Sequence, residues 1–178
     1  MVIELTGLGE GETQWSKTVG PEEIELVFPD YTFAEPVGVR LSITNVENQY
    51  ILKGRATTHA QTRCVKCLQE FGLRVEEEIG WAVQAVSDPA LIADQEEAED
   101  FWFIDRNENH LEIGPRVRET ILISLPANPL CRPDCRGLCP HCGADLNQGP
   151  CGCGEKETDG RWTPLQHLLN PGKNSNAE

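Results

Sequence analysis

Hydrophobic and polar residues alternate most clearly in the first half of the chain. Val37, Val39, Leu41 and Ile43 are separated by Gly38, Arg40, Ser42 and Thr44, the period-two pattern of a half-buried strand. Asn45-Val46-Glu47-Asn48 supplies turn residues, and Tyr50 to Thr62 reads as the threonine-rich return strand of a hairpin. After a turn carrying Cys64 and Cys67, the alternation resumes at Phe71, Leu73 and Val75, then Ile79, Trp81 and Val83. Glu76, Glu78 and Gln84 face the other way, and only Glu77 interrupts the apolar row. Three antiparallel strands are expected here.

Residues 87–100 are acidic and read as a loop. Phe101-Trp102-Phe103-Ile104 reads as another short strand, followed by a turn from Asp105 to His110. The period then changes to that of a helix. Ile113, Val117, Ile121 and Leu125 recur every four residues, Pro115 sits where a first helical residue belongs, and Pro126 closes the segment. Leu122 and Ile123 widen the apolar face, so a helix of about 114–125 should pack on the sheet. The resulting fold class is α+β: a mainly antiparallel sheet, flat or curled toward a barrel, with one packing helix and a metal-bound C-terminal segment. The expected organisation is a β-rich domain over 1–126, a Cys-rich zinc-binding segment over 127–169 with a short terminal helix, and a flexible tail over 170–178.

Charge changes the picture. The chain has 178 residues and a net charge of −14. Acids concentrate in 1–35 (eight against one base) and 76–112 (twelve against one), whereas 36–69 holds five bases and one acid. Sequence-independent wrapping of nucleic acid is therefore not expected as the main activity. With 39% hydrophobic residues and four tryptophans the chain is not an acidic disordered polymer either. Residues 1–7 lack a basic region followed by an apolar one, and no run approaches a membrane span. A cytoplasmic, reducing location is expected, in which cysteines are more often metal ligands than disulfides. A disulfide reading stays open for a chain that has lost a leader.

The cysteines carry the candidate chemistry. Cys64-x2-Cys67 is followed, after a gap, by Cys131-x3-Cys135-x3-Cys139-x2-Cys142-x8-Cys151-x-Cys153. Cys-x2-Cys with a following glycine is a metal knuckle, in which backbone N–H groups support two converging thiolates. Cys139 to Gly143 fits it, while Cys64 and Cys67 have the spacing without the glycine. Eight thiolates allow two tetrahedral zinc sites. The preferred pairing joins Cys64, Cys67, Cys131 and Cys135 in one and Cys139, Cys142, Cys151 and Cys153 in the other. A single zinc with free thiols, or an iron site on the same ligands, are the alternatives. An all-cysteine shell leaves no open position for a reacting water, so the metal is expected to be structural.

No other motif supports an enzyme. His141 lies inside the second knuckle and faces solvent or the metal; His59, His110 and His167 stand alone. There is no phosphate-cradling glycine loop and no nucleophile with a base at a family spacing. Arg63, Lys66, Arg132, Arg136 and Arg161, with Trp162, flank the cysteines. The plain explanation is that cations offset metal–thiolate centres of net charge −2. The sharper one is a basic and aromatic patch touching RNA or a protein partner.

Leu125-Pro126, Pro129-Leu130-Cys131, Asp134-Cys135, Gly137-Leu138-Cys139-Pro140, Cys142-Gly143, Leu146-Asn147, Cys151-x-Cys153 and Arg161-Trp162 form an ordered series. Together with Arg63-Cys64-x2-Cys67-Leu68 and Phe71, the series resembles the bacterial YceD family, large ribosomal RNA subunit accumulation proteins, over about 60–165. Gly160 stands where many relatives carry proline, which touches only the entry to the last helix. The resemblance implies a cytoplasmic factor needed for accumulation of large-subunit ribosomal RNA. Some relatives lack much of the C-terminal cysteine set, which implies that the second metal site is not needed for the shared role. The expected partner is a large-subunit ribosomal RNA precursor or a basic ribosomal protein, with no membrane and no small-molecule substrate. The competing readings are a zinc-ribbon adaptor unconnected with ribosomes and, least supported, an RNA-processing enzyme.

Overall fold

The computed structural model describes residues 1–88, 90, 92 and 101–153, and the chain divides into two compact units, Met1–Cys135 and Arg136–Glu178. The acidic loop expected over 87–100 falls largely outside the described residues. The short terminal helix and the 170–178 tail fall entirely outside them.

The first unit runs β1 (Val2–Glu4), β2 (Gly11–Val19), a 3-10 turn (Pro21–Ile24), β3 (Tyr31–Phe33), β4 (Val37–Val46), β5 (Gln49–Arg63), β6 (Glu70–Val86), β7 (Phe101–Asp105), β8 (His110–Glu112) and α1 (Gly114–Ser124). The main sheet has the order β2-β4-β5-β6-β7, with β3 also pairing β5. The β6–β7 pair is parallel and the other pairs are antiparallel. β1 and β8 form a separate two-stranded ribbon.

The alternating residues of β4 do what their period requires: Val37, Val39, Leu41 and Ile43 are buried while Arg40 is exposed. A two-residue connection, Glu47-Asn48, joins β4 to β5, and both residues take the left-handed φ (50° and 65°) that matches strand twist. β5 and β6 pair without interruption from Gln49–Gln84 to Arg63–Glu70. The interrupting Glu77 does not end the strand. It lies half-buried on the core face opposite Ala56, whose small, fully buried side chain leaves room for it. At Gly54 the β4 backbone comes so close that a Cβ would lie 1.9 Å from the Arg40 carbonyl oxygen. No larger residue fits there.

The sheet is open, not a barrel. Its edges, β2 and β7, do not pair with each other. The inner face is instead covered by α1, which packs on β6 and on the 3-10 turn. Val117 and Ile121 of α1 are fully buried, as is Ile113 just before it. β1 reinforces this cover, because the Met1 carbonyl accepts the amides of Ile113 (2.9 Å) and Gly114 (3.2 Å). Trp81 and Trp102 meet edge to face at 6.0 Å, and the Arg116 guanidinium lies 3.9 Å over the Trp102 ring.

Two further expectations are corrected. Ile123 is 73% exposed and does not widen the apolar face of the helix, whereas Leu122 is half-buried. The turn expected from Asp105 to His110 gives way to β8 at His110, held by its pairing with β1. Among the described residues no helix is long and apolar enough to cross a membrane.

Candidate metal centres

The longest hairpin of the sheet carries the first cysteine pair at its tip. β5 ends at Arg63 and β6 begins at Glu70, so Cys64 and Cys67 occupy the six-residue connection. The Cys64 amide donates to the Gln69 carbonyl (2.9 Å), and the Leu68 amide donates to the Cys64 carbonyl (2.9 Å). Leu68 has φ 62°, so a leucine holds the left-handed position that glycine usually takes in such a turn. The segment after α1 folds back onto this tip. Tyr31 of β3 donates its hydroxyl to the Pro126 carbonyl (2.6 Å), and the Val65 amide donates to the Pro129 carbonyl (3.0 Å). These two anchors bring Cys131 and Cys135 to Cys64 and Cys67. The Sγ atoms of Cys64 and Cys135 lie 3.8 Å apart and those of Cys67 and Cys131 3.6 Å apart.

The second group repeats the knuckle inside the second unit. The Cys139 amide donates to the Ala144 carbonyl (2.8 Å) and the Gly143 amide to the Cys139 carbonyl (2.9 Å), with Gly143 at φ 72°. The two turns have the same hydrogen bonds at the same offsets. Asp145 orders the next turn of chain, its carboxylate accepting the Asn147 amide (2.9 Å), while the Asn147 side chain accepts the Arg136 amide (2.8 Å). Leu146 donates its amide to Gly137 (2.9 Å). This framework places Cys139 and Cys142 with Cys151 and Cys153.

The eight cysteines thus form the two groups of the preferred pairing, with all four sulfurs of each group within 4.8 Å of one another. They are thiols rather than disulfides. A tetrahedron of sulfurs about 2.3 Å from a metal has edges of about 3.8 Å, so both sets fit one four-coordinate ion. Such a shell would be closed.

Backbone amides prepare the leading sulfur of each knuckle. Burial opposes the Cys64 thiolate, yet amides of Cys131, Cys67 and Lys66 donate to it and hold its pKa down to about 6. The amides of Cys142 and His141 do the same for Cys139, also to about 6. Burial, with the neighbouring thiols, pushes Cys131 up to about 12. Hydrogen bonding with Cys142 and then burial push Cys153 up to about 12. One sulfur in each set is therefore ready to ionise while others keep their protons until a cation arrives.

Among the described residues the flanking cations are not the source of this effect, which comes from the amides. Arg63 pairs with Glu70 (3.3 Å) and Arg132 with Asp134 (3.5 Å). Lys66 and Arg136 are exposed on the cysteine-bearing segments, and Arg161 and Trp162 lie outside the described residues. His141 is exposed and belongs to neither sulfur group. His59 and His110 each face a carboxylate, Glu35 (2.8 Å) and Glu108 (3.1 Å), and His167 lies outside the described residues. Tyr31, Pro129 and the left-handed Leu68 complete the first site without having been singled out for it from spacing.

A family model described as "Large ribosomal RNA subunit accumulation protein YceD" matches residues 52–169, a span that includes all eight cysteines. The chain belongs to the YceD family. Similar proteins include an uncharacterised protein of Mycobacterium tuberculosis, 29% identical over 131 residues, covering 74% of this chain and 61% of that protein. The large ribosomal RNA subunit accumulation protein YCED homolog 1, chloroplastic, of Arabidopsis thaliana is 25% identical over 191 residues, covering 93% of this chain and 60% of its own length. Its Zea mays namesake is 24% identical, over 75% of this chain and 54% of the plant protein. The chain therefore spans about three fifths of the length of its mycobacterial and Arabidopsis relatives. No solved structure matches it.

Proposed function

We propose that this YceD-family chain is a non-enzymatic factor of ribosome biogenesis, which supports the accumulation of large-subunit ribosomal RNA by binding an assembly intermediate. The observation that carries this reading is the family match, which covers most of the β5–β6 hairpin, α1 and both cysteine groups. The plant relatives carry the same description in their names. Two zinc ions, one in each four-cysteine group, would act as structural cross-links, because a closed thiolate shell offers no position for substrate or reacting water.

The role is in the cytoplasm and is one of holding rather than converting. Exposed Glu10, Glu12, Glu22, Glu23 and Glu25 in the N-terminal segment suit a basic ribosomal protein as one contact. The test is sedimentation of the tagged chain with large-subunit precursors at low salt, paired with in-cell crosslinking that identifies both RNA and protein partners. The reading expects precursor-bound chain that dissociates as salt rises. A chain that stays at the top of the gradient at low salt, with no ribosomal crosslinks, refutes it.

A further inference from the structure

The solvent face of the main sheet collects cations that the rest of this acidic chain lacks. Arg40 of β4, Lys53, Arg55 and Arg63 of β5 and Arg74 of β6 all project from it, against Glu70, Glu76 and Glu78 on the same three strands. Glu70 is held by Arg63, and Glu76 is held by both Arg55 and Arg74. Arg40 and Lys53 have no carboxylate in ion-pair range among the described residues. Arg40 is moreover the direct cross-strand partner of Arg55. Arg55 is offset by Glu76 and by Glu78 opposite it on β6, so Arg40 is the member of this cross-strand pair left without a carboxylate partner among the described residues.

The surface beside Arg40 is open to an anion. A groove of about 410 Å³ is lined by Arg40, Arg74 and His59, by the hydroxyl-bearing Ser16, Thr18 and Thr57, and by Gly38. No acidic side chain lines it. Glu35, which meets His59 (2.8 Å), and Glu12, which accepts the Ser42 hydroxyl (2.6 Å), mark its acidic surroundings. Gly38, Gly72 and Gly80 keep the sheet surface low. Val2, Val27, Phe28, Val65, Leu68 and Ile123 are exposed elsewhere, and Val46, six residues from Arg40 at the turn end of β4, is the one large, well-exposed apolar residue on this face among the described residues, so the surface around Arg40 lacks the apolar anchors of a protein–protein interface. The Thr57 hydroxyl is given to the Gly38 carbonyl (3.3 Å), but the Arg40 guanidinium, the nearby Lys53 and the Ser16 and Thr18 hydroxyls suit a chain of phosphates.

We propose that the solvent face of β4–β6, centred on Arg40 and Lys53, binds the phosphate backbone of RNA. This deepens the ribosomal-RNA reading above and rests on it. Contact is through phosphates and ribose rather than base edges, so it is tolerant of sequence and sensitive to salt.

The test is fluorescence anisotropy of a labelled single-stranded RNA segment of the large-subunit precursor, titrated with the full-length, metal-loaded chain. The variants are Arg40→Glu/Lys53→Glu on the face and Arg106→Glu on the turn between β7 and β8, with metal content and circular dichroism checked for each. The face variant is expected to bind about tenfold or more weakly at low salt, with a log–log salt slope shallower by about 1.4 for two lost contacts. Arg106→Glu, which shifts the net charge by −2 against −4 for the face variant, should remain within about twofold of the parent, whereas bulk charge alone would give it about half of the face variant's loss on a log scale. Arg40→Lys/Lys53→Arg, which keeps both charges, should restore binding. A loss in Arg106→Glu of half the face variant's or more on a log scale, no loss in the face variant, or displacement of the RNA by poly-glutamate at equal charge would each overturn the proposal. If the parent chain binds no RNA yet still sediments with precursors, the face assignment fails and the ribosomal reading stands. If it does neither, both fail.

Discussion

The two cysteine groups use the same turn in different settings. At the tip of the β5–β6 hairpin, Cys64 and Cys67 are buried, as is Cys135, and Cys131 is half-buried. In the second unit Cys139 is buried and Cys151 half-buried, but Cys142 and Cys153 are exposed. The first site draws its remaining ligands from beyond α1, held by Tyr31 and by the Pro129 carbonyl. The second draws all four from one short stretch, and among the described residues no helix or multi-residue strand lies in that unit. Identical local hydrogen bonding thus serves two ends. With an ion bound, one site would cross-link an already packed sheet, and the other would substitute for a core where Gly- and Pro-rich chain cannot bury one.

That contrast can be broken most severely at the ligands. Replacing Cys139 and Cys142 by serine should remove one ion and unfold the second unit. Hydrogen exchange should then show amides of 136–153 losing protection while the sheet amides keep theirs. A structural zinc site can contribute on the order of 10 kcal/mol to a small domain, far more than the loop's own contacts supply. The matching pair, Cys64→Ser/Cys135→Ser, should lower the melting temperature of the first unit but leave its strands paired, because Leu41, Leu52, Val83 and Ile121 belong to a core cluster that includes none of the cysteines. Loss of the whole sheet in that variant would show that the first site is a folding nucleus rather than a cross-link.

Smaller effects sharpen the comparison. Peroxide or a chelator added to the metal-loaded chain should release one equivalent of metal well before the other. Mass mapping of alkylated thiols should find Cys142 and Cys153 modified ahead of Cys64 and Cys67. Simultaneous release would remove the significance of the burial difference. Smallest of all is the left-handed residue of each knuckle. Leu68→Gly should stabilise the first site by about 0.5–1 kcal/mol, and Gly143→Ala should weaken the second by about 1 kcal/mol. No atom lies within 4 Å of where the new Cβ at 143 would sit, so its cost is conformational and not steric.

Much of the sheet was legible because β4, β5 and β6 keep one face on the core and one in water, which writes period two into the sequence. α1 was legible for the same reason at period 3.6. β2 was not, because as an edge strand it turns Thr13, Trp15, Lys17 and Val19 inward, and only two of these four are hydrophobic. β1 and β8 are too short to show a period, and each exists through the other. Barrel closure was not decidable from pattern, since it depends on whether two edges meet. The knuckle spacing pointed to the metal chemistry. The pairing of Cys64 and Cys67 with Cys131 and Cys135 needed the fold, because Tyr31 and Pro129 close that 63-residue gap through contacts that leave no spacing signature. Leu68 in a glycine's position is likewise a backbone fact that residue identity conceals.

The central claim is that each four-cysteine group holds one closed, structural ion. Native mass spectrometry of the full-length chain, purified without chelator and in parallel with elemental analysis, tests it most directly. The account predicts two zinc ions per chain, falling to one in Cys139→Ser/Cys142→Ser. A folded chain free of metal, or one whose cysteines are joined as disulfides, would contradict it.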